Sequence, residues 1–175
     1  MKPTLIVLVG HSGAGKTSLA RELGEKYDFG VLSEDNFVFK MNPRSLVERV
    51  ARQVDREIGM GALVRALEVY FEYKKTVILE GAFVDGPLYL RDFREMAQKS
   101  GYGFKSIMLT ADRKQRVKRK KRKNGHVISE VLDQRLRKAA DDLGYREDSV
   151  EVDTTKQKLK QTLEKIEEIL GLLAD

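Results

Sequence analysis

Gly10-His11-Ser12-Gly13-Ala14-Gly15-Lys16-Thr17 follows the order G-x-x-x-x-G-K-[ST]. Residues of these types at this spacing are suited to holding a phosphate chain. The glycines let successive backbone N–H groups turn inward around an anion, and a helix starting at the lysine adds the positive end of its dipole. Lys16 is expected to reach the β- and γ-phosphates, and the Thr17 hydroxyl to ligate Mg²⁺. Gly10, His11, Ser12, Gly13, Ala14, Gly15 and Ser18 complete the cradle. The flanks agree. Leu5-Ile6-Val7-Leu8-Val9 reads as a buried strand entering the loop, and Ser18-Leu19-Ala20-Arg21-Glu22-Leu23 has helical spacing beyond it. A nucleoside triphosphate, ATP in the first instance, is the expected ligand.

Such a loop serves kinases, GTPases and motor ATPases alike. A guanine-specifying Asn-Lys-x-Asp is absent from the sequence, and 175 residues are few for a motor domain with its sensor elements. A kinase needs three further parts: an acid near the acceptor, a metal-facing acid, and cations for the transferring phosphoryl group. Asp35, in Ser33-Glu34-Asp35-Asn36, lies just past the second strand-like run, where the carboxyl ends of parallel strands border the ligand crevice. It is the expected general base or metal-facing acid, with Glu34 its substitute if the register is displaced by one. Glu80 closes the run Val77-Ile78-Leu79 and is a second metal-facing acid. Nine of the eleven residues Arg113–Lys123 are Lys or Arg, with Arg113, Arg116, Arg119 and Arg122 spaced along one side of a helix. A lid that closes over ATP with two or three arginines, one of them such as Arg119 spreading the charge of the phosphoryl transition state together with Lys16, is the favoured reading of this run. A nucleic-acid surface is less favoured, because no aromatic residue is interleaved to stack bases.

These residues must be held by a scaffold. Strand-like runs at Leu5–Val9, Gly30–Leu32, Thr76–Leu79, Ser106–Leu109 and Val150–Val152 alternate with helical patterns near 15–27, 44–58, 61–73, 87–100, 112–122, 128–143 and 155–173. This alternation predicts an α/β fold with a parallel sheet covered on both faces. Gly59-Met60-Gly61 is read as a break between two helices in an insertion, about 36–74, that forms an acceptor flap or simply packs. Leu159, Leu163, Ile166, Leu170 and Leu173 form a packing stripe. The length fits a single domain, 1–175, with no linker or repeat.

The net charge is +6, and the basic run accounts for all of it, since the remainder of the chain sums to −3. There is no cysteine, hence no disulfide or thiolate site, and the two isolated histidines, His11 and His126, give no basis for a histidine metal site. The first apolar run is five residues long, neither a secretory h-region nor a membrane span, so a cytoplasmic protein is expected. Oligomeric state is left open.

Taken together, the chain resembles the P-loop small-molecule kinases, which include nucleoside monophosphate, shikimate and gluconate kinases. The local likeness to gluconate kinases lies in Arg119–Gly125-His126, Val131-Leu132-Asp133-Gln134, Val150-Glu151-Val152-Asp153 and Leu90-Arg91-Asp92-Phe93-Arg94-Glu95. Where those enzymes carry G-D-x-x-H-P, this chain has Glu34-Asp35-Asn36-Phe37-Val38-Phe39, which keeps Asp35 and lacks the histidine. Val77–Gly81 followed by Arg91 is also similar to polynucleotide 5′-hydroxyl kinases, and Gln134–Asp142 to guanylate kinase lids. The resemblance implies a three-layer fold with a five-stranded parallel sheet, a lid at about 112–128, and ATP with Mg²⁺. It implies that Asp35 faces a small-molecule acceptor. It also makes Arg119 the lid arginine nearest the adenine or phosphates, Arg122 a further lid cation, and Thr154, in Asp153-Thr154-Thr155, a neighbour of the adenine. A hydroxyl acceptor is favoured. A nucleoside monophosphate acceptor would draw on Arg44, Arg49, Arg52, Arg56 and Arg65. A nucleic-acid-binding ATPase working through 113–123 is the rival from another class.

Overall fold

The computed structural model describes residues 2–39, 53–83, 89–124, 134, 137–139 and 141–173. In chain order the elements are β1 (Thr4–Gly10), α1 (Lys16–Tyr27), β2 (Gly30–Ser33), a π-helical turn (Asp35–Phe39), α2 (Gln53–Glu72) and β3 (Val77–Glu80). They continue with α3 (Leu90–Lys99), β4 (Gly103–Thr110), α4 (Arg113–Asn124), β5 (Val150–Asp153) and α5 (Leu159–Leu170). The strands form one parallel sheet in the order β2-β3-β1-β4-β5.

Alternation along the central strand builds both layers. Leu5, Val7 and Val9 face a core completed by Leu63, Leu67 and Phe71 of α2 and by Leu90, Phe93 and Ala97 of α3. Ile6 and Leu8 face the other side, against Leu19, Ala20 and Leu23 of α1 and Ile166 of α5. Both faces of β1 are therefore dry, which is why its sequence is a continuous apolar run. Lys26 Nζ donates to the buried Glu167 carboxylate at 2.6 Å and ties α1 to α5. The register places Leu8 beside Glu80, Ser33 beside Glu80, and Thr110 beside Asp153. The carboxyl ends of the five strands thus share one edge, the edge at which the loop 10–17 leaves β1.

Three expectations are corrected. Gly59-Met60-Gly61 does not break a helix, because α2 runs through it without interruption. A Cβ on Gly59 would stand 2.6 Å from the Phe37 carbonyl oxygen, so this glycine admits the π-helical turn against the helix. Gly61 faces open space. Gly59→Ala is expected to lose about 1–3 kcal/mol by forced overpacking. Gly61→Ala is expected to gain about 0.5–1 kcal/mol from helix propensity. Urea denaturation of the two variants checks the opposite signs. The last helix starts at Leu159, and its stripe is narrower than expected: Ile166 is buried, Leu163 and Leu170 are partly buried, and Leu159 and Leu173 are exposed. The π-helical turn after β2 had no counterpart among the expected elements. Expected helical positions 44–52 and most of 128–136 lie outside the described residues, as do 125–128 of the expected lid. Among the described residues, no helix is long and apolar enough to cross a membrane.

Candidate active site

The loop leaving β1 is shaped by its glycines and by what lies behind it. Gly15 caps α1 at φ 111°, a left-handed conformation open to glycine at little cost. Among the described residues no side chain caps the first turn of α1, and no acid lies in that turn, so its N–H groups and the helix dipole are suited to an anion. Gly13 is required for a different reason: a Cβ there would stand 2.7 Å from the Arg116 carbonyl oxygen of α4. His11 and Ala14 are buried, while Ser12 and Ser18 are half-buried. Lys16 Nζ arches over the loop and donates to the Gly10 carbonyl at 2.7 Å and the His11 carbonyl at 3.3 Å. Burial lowers its pKa, opposed by the charges of Glu80, Asp35 and Glu34.

Those three acids come from the ends of β2 and β3. Glu80 is buried, and its Oε1 accepts from the Thr17 hydroxyl at 3.2 Å and from the Ser33 hydroxyl. Asp35 is exposed at the start of the π-helical turn. Glu34 is different in kind. Its Oε2 accepts from the backbone N–H groups of Ala82 at 2.7 Å and Phe83 at 3.1 Å, and only 6% of the residue is exposed. Glu34 therefore fastens the backbone after β3, and Asp35 is the acid of the pair that is open to a ligand. Phe83 is held at φ 49°, unusual for a bulky residue, with its ring edge-on to Phe93. The buried Tyr145 hydroxyl donates to the Phe83 carbonyl, and burial pushes that phenol's pKa up.

Burial also raises the Glu34 pKa, more than the Phe83 and Ala82 N–H groups lower it. A carboxyl raised on folding favours the fold fully below the ordinary carboxylate range, and loses that contribution as pH climbs through the raised value. Glu34→Gln removes the titrating group and keeps an oxygen acceptor. Its melting temperature is expected to exceed that of the wild type by about 2–4 °C at pH 8. At pH 4 the two should coincide. Thermal unfolding at both values checks this.

The basic helix is two-sided. Lys114, Lys118 and Lys121 are exposed, while Arg116 is fully buried with its Nε donating to the Ala111 carbonyl at 2.9 Å. Arg119 is half-buried beside β5. Its Nη1 donates to the Thr154 hydroxyl at 2.9 Å and its Nη2 to the Thr154 carbonyl at 2.6 Å. A longer bond of 3.4 Å reaches the Gly13 carbonyl. Burial lowers its pKa, opposed by Asp153. The Thr154 hydroxyl in turn donates to the Ala14 carbonyl at 2.9 Å and is itself buried. Arg119 and Thr154 thus stand together where β5 meets the loop, on the opposite side of β1 from Asp35 and Glu80. The Arg122 side chain and His126 lie outside the described residues.

Lys16, Thr17, Asp35 and Glu80 are accordingly grouped at one side of the loop, and Arg119 with Thr154 at the other. Sequence reasoning missed Ser33, the anchoring role of Glu34, and Tyr145. The three-residue spacing of the arginines did mark the face on which Arg116 lies. Tyr145 carried no signal, because its partner is a backbone carbonyl 62 positions away.

No curated protein sequence matches the chain. Solved structures do. A gluconokinase from Sinorhizobium meliloti is 19% identical with a TM-score of 0.64, over 99% of this chain and 99% of that one. A sugar kinase from a Janibacter species is 18% identical with a TM-score of 0.69, over 97% and 95%. A shikimate kinase from Acinetobacter baumannii in complex with shikimate is 21% identical with a TM-score of 0.66, over 99% and 96%. At these identities the likeness establishes a shared P-loop fold over the length of both chains. Residues 5–143 match the model of the AAA domain family, so the chain belongs to that family.

Proposed function

We propose that the chain is an ATP-dependent phosphotransferase that moves the γ-phosphoryl group onto a hydroxyl of a small molecule. The observation that carries this reading is the pair of carboxylates at the ends of β2 and β3, Glu80 bonded to Thr17 of the loop at 3.2 Å and Asp35 exposed at the same edge of the sheet. Holding a nucleotide needs the loop and the lysine. An exposed Asp35 in addition, at the strand-end edge that the loop leaves, is what an acceptor requires. The names of the structural neighbours agree, since they describe kinases of gluconate, shikimate and sugars, all hydroxyl compounds.

In this reading the acceptor oxygen attacks the γ-phosphorus as its hydroxyl proton passes to Asp35. The bond to the β,γ-bridging oxygen breaks, and ADP leaves. Lys16 moves from the loop carbonyls to the β- and γ-phosphates and spreads the developing charge. Arg119 and Thr154 border the base, and Arg122 is a further cation of the lid. The loop 10–17 with Ser18 holds the phosphates. Among the described residues no three metal-ligating side chains cluster. Mg²⁺ is instead suited by the Thr17 hydroxyl beside Glu80, because this ion keeps waters and phosphate oxygens among its ligands. When bound, it would neutralise phosphate charge. Asp35 is a further acid for its water shell. The proposal includes a single cytoplasmic domain, with acceptor selection by residues in 36–74 and closure by about 112–128.

Of the arginines available to a nucleoside monophosphate acceptor, Arg65 is the one whose side chain is described, and it pairs with Glu68 at 3.0 Å and Glu72 at 3.6 Å on its own helix. The hydroxyl reading is preferred for that reason. Transfer of labelled γ-phosphate from Mg-ATP to sugar acids, shikimate, nucleosides, nucleoside monophosphates and a 5′-hydroxyl oligonucleotide tests it. Label on a small hydroxyl compound is the expected result. Label on a monophosphate, on the oligonucleotide, or only in inorganic phosphate would replace the proposal with one of its rivals.

A further inference from the structure

Six consecutive carbonyls of the loop, Gly10 to Gly15, all have donors. The Gly10 and His11 carbonyls accept from Lys16, and the Gly15 carbonyl accepts from the Leu19 N–H at 3.0 Å. Between them, the Ser12 carbonyl meets Arg116 Nη1 at 3.5 Å, the Gly13 carbonyl meets Arg119 Nη1 at 3.4 Å, and the Ala14 carbonyl accepts from Thr154 at 2.9 Å. A peptide plane points its C=O and the following N–H in opposite directions. Drawing the Ser12 and Ala14 carbonyls backward therefore aims the N–H groups of Gly13 and Gly15 forward. The intervening Ala14 N–H turns to the His11 carbonyl at 3.1 Å.

Arg116 is set apart by its burial from the other basic residues of α4 whose side chains are described, with none of the residue exposed. A guanidinium sealed beneath the loop cannot meet a phosphate directly. The close approach of its backbone to Gly13 leaves no room for a Cβ on the loop, so α4 and the loop are seated on one another. Burying a permanent cation is unfavourable unless its donors are satisfied, and the carbonyls of Ala111 and Ser12 are among those receiving them.

Resting on the nucleotide-binding reading above, we infer that Arg116 is a positioning residue for the nucleotide phosphates: it acts through the Ser12 carbonyl and raises the anion affinity of the loop from behind. Part of the basic run thus serves the phosphates without being a lid cation. The effect belongs to the phosphate chain and not to the base.

Calorimetric titration of the full chain with Mg-ATP and with magnesium tripolyphosphate, which has no base, tests this. Arg116→Met replaces the cation by an apolar side chain of similar length. It is expected to fold, and to bind both probes about tenfold more weakly, by the same factor. Arg116→Lys restores the charge and is expected to recover at least half of the loss. A folded Arg116→Met that binds Mg-ATP as the wild type does would overturn the inference. So would an Arg116→Lys as weak as Arg116→Met, or a loss confined to Mg-ATP. If Arg116→Met does not fold, Arg116→Gln takes its place under the same comparison. A wild-type chain that binds both probes but transfers phosphate to no acceptor would sink the kinase reading and leave this inference standing. A wild-type chain that binds neither overturns both.

Discussion

Lys16→Ala is expected to leave the chain folded and to cut phosphoryl transfer about 10²–10³-fold or more, the range found when one preorganised charge-stabilising donor is removed from an active site. The two halves of this expectation have separate physical sources. The ammonium bridges the Gly10 and His11 carbonyls and feels the charges of Glu80, Asp35 and Glu34, yet burial still draws its pKa down. Desolvation thus outweighs the attraction of three nearby acids. A group held at such a cost adds little to stability, so its removal should leave the melting temperature within a few degrees of the wild type. The loss falls on transfer because the ammonium that would reach the β- and γ-phosphates is the one on Lys16. The check is a pair of measurements on one preparation: thermal unfolding without nucleotide, and label transfer from Mg-ATP to the best acceptor of the panel. A folded Lys16→Ala chain with wild-type transfer would remove the loop from the chemistry altogether.

What the sequence made legible follows from which forces act locally. The strands of the sheet were readable as apolar runs because β1 and its neighbours are buried on both faces, and the shared strand end then located Asp35 and Glu80 without coordinates. Gly59 misled because a glycine does not announce why the side chain is missing. Here it yields to the Phe37 carbonyl from another element, a contact no local pattern records. The basic run concealed two layers, since lysine and arginine count alike in charge. Only the three-residue spacing separated the inward arginines from the exposed Lys114, Lys118 and Lys121. Glu34 and Asp35 were nearly interchangeable on paper. They diverge because the backbone after β3 returns beside β2 and offers two N–H groups to the first of them.

That divergence yields the second large effect. Asp35→Asn is expected to lower the turnover number about 10²–10⁴-fold, the span attributed to a positioned general base, while the Mg-ATP dissociation constant stays within about threefold. Asparagine keeps the size and much of the hydrogen bonding of Asp35 but cannot take up a proton. An effect on turnover without one on nucleotide affinity would therefore locate the residue on the acceptor side of the reaction. The neighbouring Glu34→Gln is the internal control. Its oxygen can still accept from Ala82 and Phe83, so transfer should stay within about tenfold of the wild type. Steady-state kinetics with Mg-ATP and acceptor varied in turn separate the cases. If Glu34→Gln abolished turnover and Asp35→Asn did not, the buried acid would be the base, and the raised pKa of Glu34 would be a catalytic property. If both variants weakened Mg-ATP binding alike, the acids would serve the metal, and the proton would have to leave by water. The exposure of Asp35 beside an anchored Glu34 is the reason to expect the first outcome: a base must reach its substrate, and of the two only Asp35 is open to one.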